Sequence, residues 1–255
     1  MSALRFAPDG RRLFAATGRG FRSISVATGT DEARSNPTIH ANALAVAPDG
    51  RRVVHAGPTN ATLAAPSTLV GWTVAADAPP AQAWLAPLDA TCVGLAFFPD
   101  GERFAAVEYS WRPGGGEASR LAVFDSATGR KVLAWESPND RTVGLDVSPT
   151  GEQLVTRAGS ALLVWDPDGP GGDPRKVGNT SRKHFTDVAF HPSGRYLAAT
   201  SNDATVKLYD TATWAVARTF TWDVGRLRSV AFSPDGALAA VGSDTGRIVV
   251  WDVDL

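Results

Sequence analysis

The sequence predicts an all-β chain built from six copies of one antiparallel unit. Three observations predict it. A turn of the form x-Pro-x-Gly recurs six times, at 7–10, 47–50, 98–101, 148–151, 191–194 and 233–236. Before each turn stands an apolar pair two residues apart: Leu4/Phe6, Leu44/Val46, Leu95/Phe97, Leu145/Val147, Val188/Phe190 and Val230/Phe232. A two-residue step puts both side chains on one face of a strand. After each turn comes an apolar run rich in alanine, then a third run that ends in Ile24, Trp72, Phe124, Trp165, Tyr209 or Trp251.

The stretch from Val188 to Asp210 shows the unit most plainly. Val188-Ala189-Phe190 is a short apolar strand, and His191-Pro192-Ser193-Gly194 is its turn. Tyr196 to Thr200 is the second strand, Ser201-Asn202-Asp203 the second turn, and Val206 to Tyr209 the third strand. Proline presets φ, Asp or Ser tolerates the turn, and Gly takes positive φ at little cost. The alanines of each second strand leave room for neighbouring sheets to approach. In four of the six copies an Asp follows the large residue directly: Asp125, Asp166, Asp210 and Asp252.

Phe-Ser-Pro-Asp-Gly at 232–236 with Trp251-Asp252, and Trp165-Asp166 before it, resemble the WD-repeat β-propellers. The resemblance covers nearly the whole chain, and the turn prolines lie 40 to 51 residues apart, close to the ~40–45 residues of one blade. It implies a single domain over 1–255, a propeller of six blades of antiparallel strands. The fourth strand of a blade is then the less patterned stretch before the next first strand, such as Lys131 to Glu136 or Ala215 to Trp222. Two departures stand out. The Gly-His pair of the family is absent from every copy, and its Asp before the third strand survives in place only as Asp203, with Asp244 displaced by one position. Blade stability is therefore expected to rest mainly on apolar packing between sheets.

In order, residues 2–29 supply three strands of the first blade, and Thr30 to His40 a ragged fourth strand interrupted by Pro37, which an edge tolerates. The second copy has a longer second turn, Gly57 to Pro66. The third has the largest insertion, a Gly-rich loop from Ser110 to Glu117 that carries Trp111. Joining two strands, this loop is not the helix-opening kind that cradles phosphate. Trp111 either anchors a partner or packs on its own blade. The sixth copy reaches its third strand at 247–253 and the sequence stops at Leu255. Either the last blade is three-stranded, or the natural chain is longer at one end. The run Ile248 to Trp251 is then an open strand edge, ready to pair with a partner strand or a second copy.

The hydrophobic fraction of 44%, charged fraction of 20% and net charge of −1 fit an ordinary globular chain. They give no field that favours nucleic acid or an anionic membrane. No stretch approaches the ~18 apolar residues of a membrane helix, and residues 1–10 lack a signal-peptide core, so a cytoplasmic protein is expected. The excess of Arg over Lys, with many Ala, suggests a GC-rich bacterial source. Cys92 is the sole cysteine and reads as a small buried hydrophobe. Asn60 and Asn179 match glycosylation acceptors, read as chance without a secretory signal.

No catalytic constellation, metal set or cofactor motif is legible. His191 reads as a turn residue, and His55 and Arg157 as rim or partnered residues. His40 and His184 each precede the last apolar residue of a first strand by six positions, which puts both on the rim where loops enter first strands. Arg141, Arg182 and Arg226 fall there too, with Asp140, Lys183, Asp223 and Arg228. With Trp111 they are the candidate partner-binding residues: His40, Trp111, Arg141, Arg182, His184 and Arg226. The expected function is a non-catalytic protein–protein interaction scaffold that needs no cofactor. The alternative is a channel-mouth enzyme such as a hydrolase or lactonase. For it the sequence offers only Asp146 and Arg5, at first-strand positions where other copies carry alanine.

Overall fold

The structure is a computed structural model that describes residues 3–18, 20–34, 41–58, 66–75, 78, 80–111, 115–169 and 172–253. Every regular element among them is a β-strand, and the strands form six antiparallel sheets, five of four strands and the last of three. The chain folds as two compact units, Met1–Arg141 and Thr142–Leu255.

The first unit holds three sheets, each with its strands paired in chain order. Sheet one is β1 (Ala3–Phe6), β2 (Arg12–Thr17), β3 (Gly20–Ser25) and β4 (Asp31–Arg34). Sheet two is β5 (Ala43–Val46), β6 (Arg52–Pro58), β7 (Ser67–Thr73) and β8 (Ala81–Pro87). Sheet three is β9 (Thr91–Phe97), β10 (Arg103–Trp111), β11 (Glu117–Asp125) and β12 (Lys131–Glu136). Successive first strands lie side by side, β1 by β5 and β5 by β9. Between sheets one and two pack Phe14, Phe21, Val53 and Trp72; between two and three pack Val54, Leu69, Phe104 and Phe124. The alanines of the second strands, Ala16, Ala56 and Ala106, are sealed in these layers. Each large side chain buried there is worth roughly 1.5–3 kcal/mol. Trp84 of β8 lies flat on Phe104 and donates from Nε1 to the Ser126 carbonyl at 3.0 Å. A Cβ at Gly71 would fall inside its indole, so glycine is what lets Trp84 lie down.

The second unit repeats the plan. Sheet four is β13 (Val143–Val147), β14 (Leu154–Ala158), β15 (Ala161–Trp165) and β16 (Arg175–Gly178). Sheet five is β17 (Phe185–Phe190), β18 (Tyr196–Ser201), β19 (Thr205–Asp210) and β20 (Val216–Thr221). Sheet six is β21 (Leu227–Phe232), β22 (Leu238–Ser243) and β23 (Ile248–Asp252). Tyr209, Phe185 and Leu162 pack between sheets four and five, and Ala198, Val206 and Leu208 pack on Leu227, Val230 and Val241 of sheet six. Two carboxylates tie the first strands together across sheets. Asp146 accepts the Phe190 N–H at 2.8 Å, and Asp187 accepts the Val230 N–H at 3.1 Å.

The turns form for the reasons the sequence gives. Asp9, Asp49, Asp100 and Asp235 each accept the N–H two residues on, at 2.8 to 3.0 Å. Gly236 sits at φ 75°, where a side chain would be strained and would also meet the His191 ring. Two of the Asp residues that follow a large residue close the next turn: Asp125 Oδ1 takes Thr128 N–H and Oγ1–H, and Asp210 Oδ1 takes the N–H of Ala212 and of Thr213.

The structure differs from the sequence reading in two places. The insertion in the third copy is shorter than expected, because Ser110 and Trp111 continue β10 and pair with Ala118 and Glu117 of β11. His55 is neither a rim residue nor a partnered one. It is buried, stacks on Trp72 at 6.0 Å, and has no hydrogen-bond partner on either ring nitrogen. Beside the apolar packing between sheets, polar side chains also hold sheets four and five. Trp165 Nε1 donates to Thr156 Oγ1 at 3.0 Å, and a buried cluster surrounds Asp203. Pro37, Asn60 and His40 lie outside the described residues.

Candidate partner-binding surfaces

Each unit places its candidate residues at the end of the sheets where chain enters the first strands. In the first unit the site grows out of β10 and β11, nine residues each and the longest strands among the described residues. Their extra length carries Ser110 and Trp111 past the start of β9, whose Thr91 pairs with Tyr109. Trp111 is 66% exposed and stands opposite Glu117 in the ladder. The Tyr109 phenol hydrogen-bonds the Glu117 carboxylate, which pushes its pKa up; the nearby Arg141 charge pulls the other way. Trp111, opposite Glu117 in the ladder, and Arg141, whose charge reaches Tyr109, thus flank one Tyr–Glu pair. Beside them lies a pocket of about 490 Å³, walled by Pro66, Thr91, Val93, Tyr109 and Trp111, with Asp89 at its edge. Asp140, next to Arg141, accepts Ser119 Oγ–H on its carbonyl at 2.9 Å, which fixes the entering loop.

In the second unit a turn pinned by Asn179 presents Arg182, Lys183 and His184 to solvent. Asn179 is buried; its Nδ2 donates to Lys183 O and to Ser201 Oγ, each at 2.9 Å, and its carbonyl accepts Arg182 N–H. Arg182 sits in the left-handed region at φ 58°, a conformation a non-glycine residue keeps only when its surroundings hold it. Below it, Lys207 Nζ lies 2.8 Å from Asn179 Oδ1 and 3.2 Å from Asp203 Oδ2. Burial opposes ionisation of Asp203, but hydrogen bonds from Ser181, Thr205 and Lys207 outweigh it and hold the carboxyl well below its usual range. Arg226 is exposed, its N–H given to Asp244 Oδ1 at 3.0 Å, while Arg228 reaches Asp244 Oδ2 at 3.3 Å. The displaced Asp244 therefore still joins the turn after β22 to the chain entering β21.

His40 lies outside the described residues. Tyr109, Glu117 and Asp89 were missed from the sequence. The signal was present in the paired lengths of the runs on either side of the Gly-rich loop, but the loop composition masked it.

Among the described residues no group of three His, Cys, Asp or Glu is placed to hold a metal ion. Cys92 is buried, and burial pushes its thiol up to about 12. Asp146, the acid the enzyme reading would call on, is engaged by the Phe190 N–H.

Comparison with known proteins agrees with the repeat. The family model for the WD domain, G-beta repeat, matches residues 174–210 and 216–252, which run from the last strand of sheet four to the end of sheet six. The Cps50 (Swd1) β-propeller domain of Myceliophteria thermophila superposes with a TM-score of 0.77 over 99% of this chain and 83% of that one, at 16% identity. The chain has a β-propeller fold, and its residues 174–252 carry two WD repeats. Protein HIR1 of Mycosarcoma maydis is 33% identical to this propeller over 137 residues, 51% of the chain and 11% of that protein. The U3 small nucleolar RNA-associated protein 15 homolog of Xenopus tropicalis is 28% identical over 126 residues, 49% of the chain and 24% of that protein. The WD repeat-containing protein VIP3 of Arabidopsis thaliana is 28% identical over 132 residues, 46% of the chain and 40% of that protein. The propeller thus spans well under half the length of these relatives. All three are eukaryotic and lend no support to the bacterial source suggested by composition.

Proposed function

We propose that this WD-repeat propeller is a protein-interaction module without catalysis of its own. The observation that carries the reading is the Trp111 pocket. A large aromatic stands 66% exposed beside a preformed hollow with an apolar wall, a tyrosine and flanking charges. Solvent-facing tryptophans at such hollows are the side chains that anchor partners, because they bury much area at small entropic cost. Arg141 in the first unit, and Arg182, His184 and Arg226 in the second, supply charged contacts around such anchors. The name of one relative, a small nucleolar RNA-associated protein, is in keeping with a role inside an assembly.

The test is a pull-down from native lysate with four baits: the unaltered chain, Trp111→Ala, Arg141→Glu, and the double change Arg182→Glu with Arg226→Glu. A partner held by the unaltered chain and lost with Trp111→Ala supports the reading. A partner retained by all three altered baits contradicts it.

A further inference from the structure

Ser67 opens β7 and holds the chain that enters β9. It is buried; its carbonyl accepts the Leu88 N–H at 2.9 Å, its N–H goes to the Ala90 carbonyl at 2.9 Å, and its hydroxyl accepts the Cys92 N–H at 3.0 Å. Asp89 thus stands between two residues clamped by one buried serine. It is exposed and makes no hydrogen bond or ion pair among the described residues. Asp89 is therefore a charge on fixed backbone without a partner of its own.

Across the same pocket stand Tyr109 and Trp111, two residues apart on β10 and so on one face of the strand. Thr91, Val93 and Pro66 complete the wall, and Asp89 is the only charged residue that lines it. Two further charges act close by, and they oppose each other. Glu117 bonds the Tyr109 phenol, while the Arg141 charge pulls on the same phenol in the other direction. Asp89 is left to set the sign of the pocket. An anion would be repelled there. An uncharged apolar group would strip water from the carboxylate and give nothing back. A cation gains twice, from the face of an indole and from the carboxylate. Arginine suits this pair better than lysine, because its guanidinium is flat, weakly hydrated and forked to match a carboxylate.

On the reading that Trp111 anchors a partner, we propose that this pocket takes an arginine side chain of the partner, its guanidinium stacked on Trp111 and paired with Asp89. The apolar stem of the arginine covers Val93 and Pro66. The clamp at Ser67 holds Asp89 in place before the partner arrives, so little order has to be gained on binding. The pocket thereby selects a basic segment of a partner and rejects an acidic one.

NMR of the isotope-labelled chain tests it. Each of the eight tryptophans gives one indole N–H signal, and the signal lost in Trp111→Phe is that of Trp111. The probes are the acetylated, N-methylamidated forms of arginine, lysine, citrulline and leucine. Arginine should move the Trp111 signal saturably and leave the signals of buried Trp72 and Trp165 in place. Citrulline, of the same shape without the charge, should bind more weakly by about fivefold, the size of an exposed ion pair. Asp89→Asn should weaken arginine by a similar factor while the other indole signals stay unchanged, which shows that the variant folds. Leucine, lysine or citrulline binding as tightly as arginine overturns the proposal, as does full arginine affinity in Asp89→Asn or a Trp111 signal that no probe moves. In the pull-down, a partner lost with Trp111→Ala but held by Asp89→Arg overturns the arginine assignment and leaves the interaction reading standing. A partner that Trp111→Ala still holds overturns both.

Discussion

The Lys207 ammonium lies 3.2 Å from the Asp203 carboxylate and 2.8 Å from the Asn179 amide oxygen, nearly sealed from solvent. The three come from β19, the turn before it and the turn that ends sheet four, so one cation fixes three pieces of backbone. A buried charge is costly once its partner is gone. Asp203→Ala should therefore cost about 3–5 kcal/mol, read as a lower urea midpoint by tryptophan fluorescence. Adding Lys207→Met to Asp203→Ala should recover part of that loss, since an apolar side chain of similar length needs no counter-charge.

The same cluster sets an acid limit. Asp203 has an ordinary carboxyl pKa of 3.8 when unfolded and a lower one when folded. Its contribution is thus complete above pH 3.8 and is lost as pH falls through the folded value. Asp203→Asn should flatten the acid limb of a stability–pH curve below that point. An acid limb unchanged from the unaltered chain would show that the cluster carries no linkage.

His55 acts in a different window. Burial against Phe21 and Trp72 drives its pKa from 6.5 down to about 4. Only the neutral ring suits the fold, so stability is complete above pH 6.5 and declines as pH drops toward 4. The loss at pH 5 is about 2 kcal/mol by linkage. Denaturation at pH 7.5 and pH 5.0 should show that loss in the unaltered chain, and His55→Phe should remove most of the difference.

Cys92 should be inert while the chain is folded. Its thiol is buried, its Sγ donates to the Gly94 carbonyl at 3.4 Å, and its pKa is pushed up to about 12. Only the thiolate reacts. Labelling by a disulfide reagent should be slow in native buffer and become fast in denaturant. Fast labelling of the native chain would place the thiol at the surface.

How much of this was legible follows from the range of each signal. The x-Pro-x-Gly turns and the paired apolar residues are local, so they marked the strands and the six sheets without any knowledge of contacts. The Asp after each large residue was visible as a pattern, but its task as a turn cap needs the geometry of Asp125 and Asp210. Trp111 was singled out, yet assigned to a loop, because Gly114 to Gly116 hide the continuing ladder. His55 looks like any polar residue in a strand. Only the ring stacking of Trp72 and Phe21 from two sheets shows that it is sealed in. Lys207 gave no signal at all, since its partners lie four and twenty-eight residues away.

The most direct measurement of the central claim is site-specific photo-crosslinking in cells. A photoreactive phenylalanine analogue would replace Trp111, Arg182 or, as a control among the x-Pro-x-Gly turns, Thr150. A partner captured from positions 111 and 182 and absent from position 150 is the predicted result. Capture from position 150 alone, or equally from all three, would contradict partner binding at the ends of the sheets where chain enters the first strands.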